Sequence, residues 1–391
     1  MDDQNRKQVK IVLAGAGGYG AHYAADLLNR RQENVQLAAV ADPIARRSPV
    51  WQQISQIPCY DDLETCLEQV KADAVIVSSP IQYHKQQVAT ALEHGAQVLC
   101  EKPLCATLEQ GKKVVSLSEQ TGLHVAVGFQ WSFHPVILAA KKDVINGLYG
   151  KPETFRTIVH WPRSLAYYQR NNWAGRLRDS AGLPVYDSVI NNATAHYLHN
   201  MLFFLGQSPD EAAMPDQIEG RLWRGQPIEN YDTAFVKMKK DLPDQKPVEL
   251  LMIASHSGEQ ERLPQIEMRF SQGRLYMEGA KLIGERYAES ASGVSEIINY
   301  GLTQGGEDVA RKTDALIRAV LYNEKPVCHA RTACPHLAVI DWLQKHCLIE
   351  QIPQSRISVK EEQGSKWYYM PGLDQLIDQL ADTFQLPDGF S

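Results

Sequence analysis

Three stretches hold side chains suited to moving a hydride and a proton. Glu101-Lys102-Pro103 directly follows a short apolar run at 97–100 that reads as a strand. A lysine just past a strand end can hydrogen-bond a reacting oxygen, and its charge stabilises a developing alkoxide. Pro103 biases Lys102 toward extended backbone and so stiffens its placement; the alternative is a surface lysine ahead of a turn. The second stretch, 188–205, reads as one continuous helix on which Asn192, His196 and His199 fall at i, i+4 and i+7 and share a face. Leu198, Met201, Leu202 and Leu205 lie opposite. Such a helix packs its apolar side on a core and turns the Asn/His side to a cleft. Histidine takes or gives a proton near neutral pH, as oxidising an alcohol requires. His196 and Asn192 therefore join Lys102 as candidate catalytic residues, with His199 beside them as a substrate contact; the alternative is histidines satisfied inside a core. Zinc would need a further ligand, for which only Asp187 is near, and no metal is expected. The third stretch, 160–175, carries His160, Trp161, Arg163, Tyr167, Tyr168, Arg170, Asn172 and Trp173. Aromatic faces stack on sugar rings, and arginine and asparagine bind hydroxyls or carboxylates. Arg163, Tyr167 and Trp173 are candidate substrate contacts, with a plain loop as the alternative.

These groups need a scaffold, and the chain opens on one. The run 9–14 is apolar and β-branched, as a buried parallel strand is. Gly15, Gly17 and Gly20 follow it in G-x-G-x-x-G spacing. Gly15 turns the chain out of the strand, Gly17 lets a pyrophosphate approach the backbone, and Gly20 lets the helix 19–29 pack on the strand. The amides of this loop, Gly18 and Tyr19 included, open the helix toward the phosphates. A second strand, 35–40, leads to Asp42, the position of an acid that grips an adenosine ribose. Asp42 would repel a 2′-phosphate and favours NAD; Arg46 and Arg47 just beyond it would favour NADP unless both are simply solvated.

The alternation continues with helices at 61–70, 82–94 and 108–120 and strands at 73–78, 97–100 and 124–128. Strands alternating with helices imply a parallel, doubly wound sheet whose ligands sit beyond the strands' carboxyl ends. Ser79, Pro80, His84, Glu101 and Lys102 all follow such ends and are candidate cofactor contacts. A helix at 135–145 follows, and beyond Gly150 the texture changes. Strands at 154–161, 217–224, 231–238, 248–255, 266–270 and 274–277 alternate as in a mostly antiparallel sheet, and helices return at 308–322, 333–346 and 373–384. We expect an α/β nucleotide-binding domain over 1–130 and an α+β domain over 131–391 whose last helix packs back on the body.

Composition narrows the class. At 391 residues the chain suits two domains, and 44% hydrophobic with 22% charged residues is ordinary for a globular protein. A net charge of −6 argues against nucleic acid as a partner. No apolar run approaches membrane-spanning length, and the N-terminus lacks the apolar core of a signal peptide. Seven scattered cysteines argue against a disulfide framework and fit a reducing cytoplasm. Cys328, His329, Cys334 and His336 lack the spacing of a zinc site.

Together, Gly15 to Gly20, Ala41-Asp42-Pro43, Ser79-Pro80 with His84, Glu101-Lys102-Pro103 and the stretch carrying His196 resemble the Gfo/Idh/MocA family over nearly the whole chain. The resemblance implies a Rossmann domain and NAD(P)-dependent oxidation or reduction of a sugar or cyclitol hydroxyl. It implies Lys102 as catalytic lysine, His196 as acid/base, and a homodimer or homotetramer formed through the open face of the C-terminal sheet. One departure stands out. The family helix reads Asp-x-Gly-x-His-x-x-Asp where this chain has Asn192, Thr194, His196 and His199. Both flanking acids are missing, and Asp187 sits too early to be expected to replace them. The expected activity is that of a cytoplasmic NAD-dependent oxidoreductase, with the oxygen of a small carbohydrate or polyol substrate between Lys102 and His196. Two rivals remain: an NAD-retaining glycosidase that oxidises transiently and eliminates, and a non-catalytic dinucleotide sensor.

Overall fold

The computed structural model describes residues 8–30, 34–288, 295–303 and 307–389. They group into two compact units, Met1–His134 with Gly305–Cys334, and Pro135–Gln304 with Pro335–Ser391.

The first unit is built on β1 (Val9–Ala14), β2 (Val35–Ala41), β3 (Cys59–Tyr60), β4 (Ala74–Val77), β5 (Gln97–Cys100) and β6 (Val125–Val127), all parallel in the order β3-β2-β1-β4-β5-β6. Residues 11–14, 75–77 and 98–100 are fully buried, as apolar runs covered on both faces must be. Strand order reverses between β1 and β4, where Ala14 pairs with Val77. The turns leaving these two strands therefore lie side by side, the usual place for a ligand of an open α/β sheet. Helix starts follow local chemistry: Asp62 accepts from the Thr65 amide at 2.8 Å, and Thr107 with Gln110 forms a capping box. The helix Asp308–Tyr322 belongs to this unit, although sequence reading assigns its segment to the second domain.

The second unit carries a nine-stranded sheet. Its strands are β7 (Pro152–His160), β8 (Gln217–Arg224), β9 (Thr233–Lys240), β10 (Val248–Ser255), β11 (Gln265–Phe270), β12 (Gly273–Glu278), β13 (Lys281–Arg286), β14 (Glu296–Leu302) and β15 (Ile349–Gln351). The order is β14-β13-β12-β11-β7-β10-β9-β8-β15. The sheet is mixed, because β7 pairs parallel with β10 and β15 with β8, while the other pairings are antiparallel. The strands at 281–286, 296–302 and 349–351 and the hairpin at 358–369 were not expected: these segments are short or broken by charge and glycine, so alternation is weak.

The expected open face of this sheet is narrower than anticipated. Over β7, β10, β9 and β8 it is covered: Leu373, Ile377 and Ala381 of the helix Leu373–Thr383 pack with Met370 and Ile352 against Ile158, Ile253, Leu251, Phe235 and Trp223. Over β11–β13 it carries a ladder of ion pairs, with Glu267 meeting Arg156, Arg269 and Arg274, and Arg274 meeting Glu285. The helix Leu373–Thr383 lies on this sheet.

Candidate active site

In the first unit the glycine loop has the shape its spacing demands. Gly15 has φ +86°, and a Cβ there would press on the Ser78 and Ser79 backbone at 2.8 Å. A Cβ on Gly20 would lie 2.0 Å from the Gly15 carbonyl oxygen, so the first helix, Gly20–Asn29, starts as close to the strand as backbone allows. Beside Gly17 and Gly18 nothing lies within 4 Å of an added Cβ. That opening sits at a helix N-terminus, where anions are favoured. Asp42 ties the loop to the end of β2: its Oδ2 accepts from the Ala16 amide and its Oδ1 from the Ile44 amide, both at 2.9 Å. Asp42, Arg46, Arg47, Trp51 and Tyr60 line one recess of about 490 Å³. An acid for a ribose, an open phosphate loop and a recess for an adenine fit a dinucleotide. When bound, its nicotinamide supplies a two-electron hydride acceptor or donor.

Beyond β4 and β5 the predicted residues divide. Ser79 Oγ donates to Gln87 Oε1 at 2.5 Å, and Pro80 is the cap of the helix Ile81–Glu93. His84 is turned into the protein. Its ring is buried between the carbonyl oxygens of Ser79 at 2.8 Å and Pro103 at 2.9 Å, and burial depresses its pKa. It clasps the two strand-end loops together. Glu101 is likewise turned inward: its Oε1 accepts from Tyr23 Oη at 2.6 Å and Lys312 Nζ at 2.5 Å, and its Oε2 from the Lys102 amide at 3.1 Å. Lys312 holds the Glu101 carboxyl below the usual range despite burial. Lys102 is half-buried, and its bond to Pro103 is cis. Lys312 was missed by sequence reading. It is fully buried, lies 4.5 Å from the ring centre of Tyr19 and 5.0 Å from that of Tyr23, and comes from a helix 211 residues beyond Glu101. No spacing signal connects the two.

In the second unit the expected continuous helix is broken. Residues Val189–Ala193 form a π turn, Thr194 leaves helical geometry at φ −110° and ψ 17°, and an α-helix runs Ala195–Phe204. Asn, Ser and Thr side chains compete for the backbone here: Ser188 Oγ caps Asn191, Asn191 Nδ2 donates to the Tyr186 carbonyl, and Thr194 Oγ1 donates to the Val189 carbonyl. The five-residue offset brings Asn192 Nδ2 to Asp187 Oδ1 at 2.8 Å, so the acid reaches Asn192 after all. Asp187 is buried, and its Oδ2 accepts from the Gly175 amide at 2.6 Å. His199 does not share the partial exposure of Asn192 and His196. His196 is half-buried, whereas His199 is 1% exposed and stacks on Phe203 with ring centres 5.7 Å apart. Within the helix Ala195–Phe204 every residue except His196 is buried.

His199 and His256 are both held well below the ordinary 6.5, first by burial and then by neighbouring cationic groups. The unfolded chain protonates both near 6.5 while the folded unit refuses the protons. Stability should therefore fall as pH drops below about 6.5, by up to about 3 kcal/mol per pH unit for two protons. Urea midpoints at pH 7 and pH 5 test this; equal midpoints would mean the buried rings already accept the proton.

The segment 160–175 is an ordered box, not a plain loop. His160 closes β7 and is wholly buried against Asp374 at 3.1 Å. Tyr168 pairs with His256 Nδ1 at 2.6 Å. Arg170 lies 3.7 Å from the Tyr167 ring centre and 5.6 Å from that of Trp173. Arg163 lies 5.5 Å from both Trp161 and Tyr167, and Trp161 stands edge-on to Tyr197, the neighbour of His196. Electrostatically, Asp187, Arg170 and Arg163 all act on the Tyr167 hydroxyl. Arg163, Tyr167, Trp173 and Asp187 with Asn192 are thus assembled in one region of this unit.

Among the described residues no group of three or more His, Cys, Asp or Glu side chains is placed to hold a metal, and no helix is long and apolar enough to cross a membrane.

Residues 9–129 match the family described as an oxidoreductase family with an NAD-binding Rossmann fold, Gfo/Idh/MocA. An inositol 2-dehydrogenase of Rubrobacter xylanophilus is 26% identical over 281 residues, spanning 72% of this chain and 70% of that protein. A scyllo-inositol 2-dehydrogenase (NAD(+)) of Bacillus subtilis is 32% identical over 146 residues, 37% of this chain and 42% of its own length. The WlbA dehydrogenase of Bordetella pertussis, solved with NADH and UDP-GlcNAcA, superposes with a TM-score of 0.68 at 17% identity over 87% of this chain and 96% of that one, a likeness of fold. Residues 9–129 thus carry the NAD-binding Rossmann fold of the Gfo/Idh/MocA oxidoreductase family, and most of the chain is similar to an inositol 2-dehydrogenase.

Proposed function

We propose that the protein moves hydride between NAD and a secondary hydroxyl of a sugar, cyclitol or related polyol. The observation that carries this reading is Glu101-Lys102-Pro103 at the carboxyl end of β5, one strand from the switch point where the glycine loop opens. Among relatives, an inositol 2-dehydrogenase is similar over 72% of this chain and a scyllo-inositol 2-dehydrogenase over 37% of it, which supports the reading. Lys102 hydrogen-bonds the reacting oxygen and steadies its charge. His196 takes the hydroxyl proton on oxidation and returns it on reduction. Asn192 orients the site, with Asp187 behind it. Purified protein with NAD and a panel of sugars, cyclitols and glycosides is the test. Net reduced cofactor supports the reading; released aglycone without net reduction, or cofactor binding with neither, overturns it.

NAD should bind more tightly than NADP, because Asp42 closes the ribose end of the recess. Calorimetry with each cofactor checks this, and tighter NADP binding would assign the recess to Arg46 or Arg47.

The Asp187–Asn192 pair makes a second expectation. Substituting Asn192→Asp alone puts two carboxyls where one amide now donates, and like charges that close cannot both ionise. The single variant should therefore gain little charge and lose activity. The swap Asp187→Asn with Asn192→Asp restores one amide and one carboxylate, with the acid now at the position the family pattern gives it. A carboxylate beside His196 favours the imidazolium, so the base must be neutralised at higher pH. The limb of kcat/KM should move up by about one pH unit, worth about 1.4 kcal/mol. An unmoved limb in an active swapped enzyme would take the base role away from His196.

A further inference from the structure

We infer that the substrate carries an anionic group, a carboxylate or a phosphate, and that Arg163 receives it with Arg170 at the rim. This deepens the proposed function and rests on its placing the substrate in the second unit. Arg163 is half-buried, and its Nε is a buried donor without an acceptor. Among the described residues, its Nη1 makes a long 3.4 Å contact with the Pro162 carbonyl. Arg170 donates to the Tyr167 carbonyl. Among the described residues neither arginine meets a carboxylate. Arg156, Arg274 and Arg311, half-buried to a similar degree, all do. A buried donor left unpaired costs about 1–3 kcal/mol, so this one needs a reason.

The surroundings supply one. Asp187, which acts on the Tyr167 hydroxyl, already accepts from Asn192 and the Gly175 amide. His256 is paired with Tyr168 and stays neutral, so it adds no competing charge. Two guanidinium groups are thus laid on the faces of Trp161, Tyr167 and Trp173 with no counter-ion from the chain. Stacking holds a guanidinium flat and leaves its edge to receive two anionic oxygens. The rings beside it suit the apolar face of a sugar. Arginine at these positions selects a charged sugar derivative over its neutral parent.

The experiment titrates the full chain, with NAD present, by calorimetry. The probes are glucose, galactose and mannose, their uronates, their 6-phosphates, and inorganic phosphate. At least one acid series should bind roughly tenfold or more tightly than the neutral series, with a preference that shrinks as salt rises. The uronate and 6-phosphate arms separate carboxylate from phosphate. Arg163→Gln should abolish the preference, its acid series binding no more tightly than the neutral series measured on the same variant, and Arg163→Lys should restore only part of it. The inference fails if no acid series and no inorganic phosphate outbinds the neutral sugars, or if the preference survives Arg163→Gln. Hydride transfer is read separately from nicotinamide absorbance. Anion preference without turnover keeps this inference and sinks the oxidoreductase reading of the site. Turnover of neutral polyols without anion preference does the reverse.

Discussion

The Lys102→Ala enzyme should lose roughly 10²-fold or more in turnover while its NAD affinity stays close to wild type. A preorganised positive charge at a developing alkoxide is worth that much when removed. The backbone around Lys102 is set by neighbours rather than by its own ammonium: its amide donates to Glu101 Oε2 at 3.1 Å, and Glu101 is anchored by Tyr23 and Lys312. Truncating the side chain therefore leaves β5 and the glycine loop as they are. Calorimetry of NAD binding and single-turnover hydride transfer separate the two effects. Near-normal turnover would remove Lys102 from the mechanism, and lost NAD affinity would make it a cofactor anchor.

What could be read in the sequence was whatever neighbouring residues decide between themselves. Gly15 and Gly20 are needed because the strand-to-helix turn leaves no room for a Cβ. The Asp62 and Thr107 caps are contacts across three residues, so their spacing betrays them. The stretch 188–205 misled because apolar spacing is blind to side chains that compete for the backbone. Asn191, Thr194 and Ser188 convert its first turn to a π turn, and that turn, not sequence proximity, delivers Asn192 to Asp187. His199 was placed in a cleft because it is polar, yet its neighbours Phe203 and the buried helix enclose it. The partners of His84 were equally out of reach of sequence reading, being carbonyl oxygens on separate loops. The covering of β7 and β10 by residues 373–381 depends on tertiary packing alone.

Lys312→Met should be the most destabilising single change in the nucleotide-binding unit, and Glu101→Gln should largely repair it. The Lys312 ammonium is fully buried and 2.5 Å from Glu101 Oε1. Removing one member of a buried pair strands the other charge, at a cost of about 3–5 kcal/mol. Removing both charges leaves nothing stranded, and a neutral amide can still accept from Tyr23. In the double variant stability should return to within about 1–2 kcal/mol of wild type, since buried pairs often contribute little net over neutral replacements. Function should not return with it. Lys312 also lies over the Tyr19 ring of the glycine loop, at 3.4 Å from its hydroxyl, so it joins that loop to the strand end bearing Lys102. Without the cation, both NAD affinity and turnover should stay depressed in a chain that is folded again. Urea unfolding of both single variants and the double variant gives the coupling energy, and NAD calorimetry on the double variant gives the functional remainder. Additive destabilisation would deny that the pair acts as a unit, and a fully active double variant would reduce Lys312 to a counter-ion for Glu101.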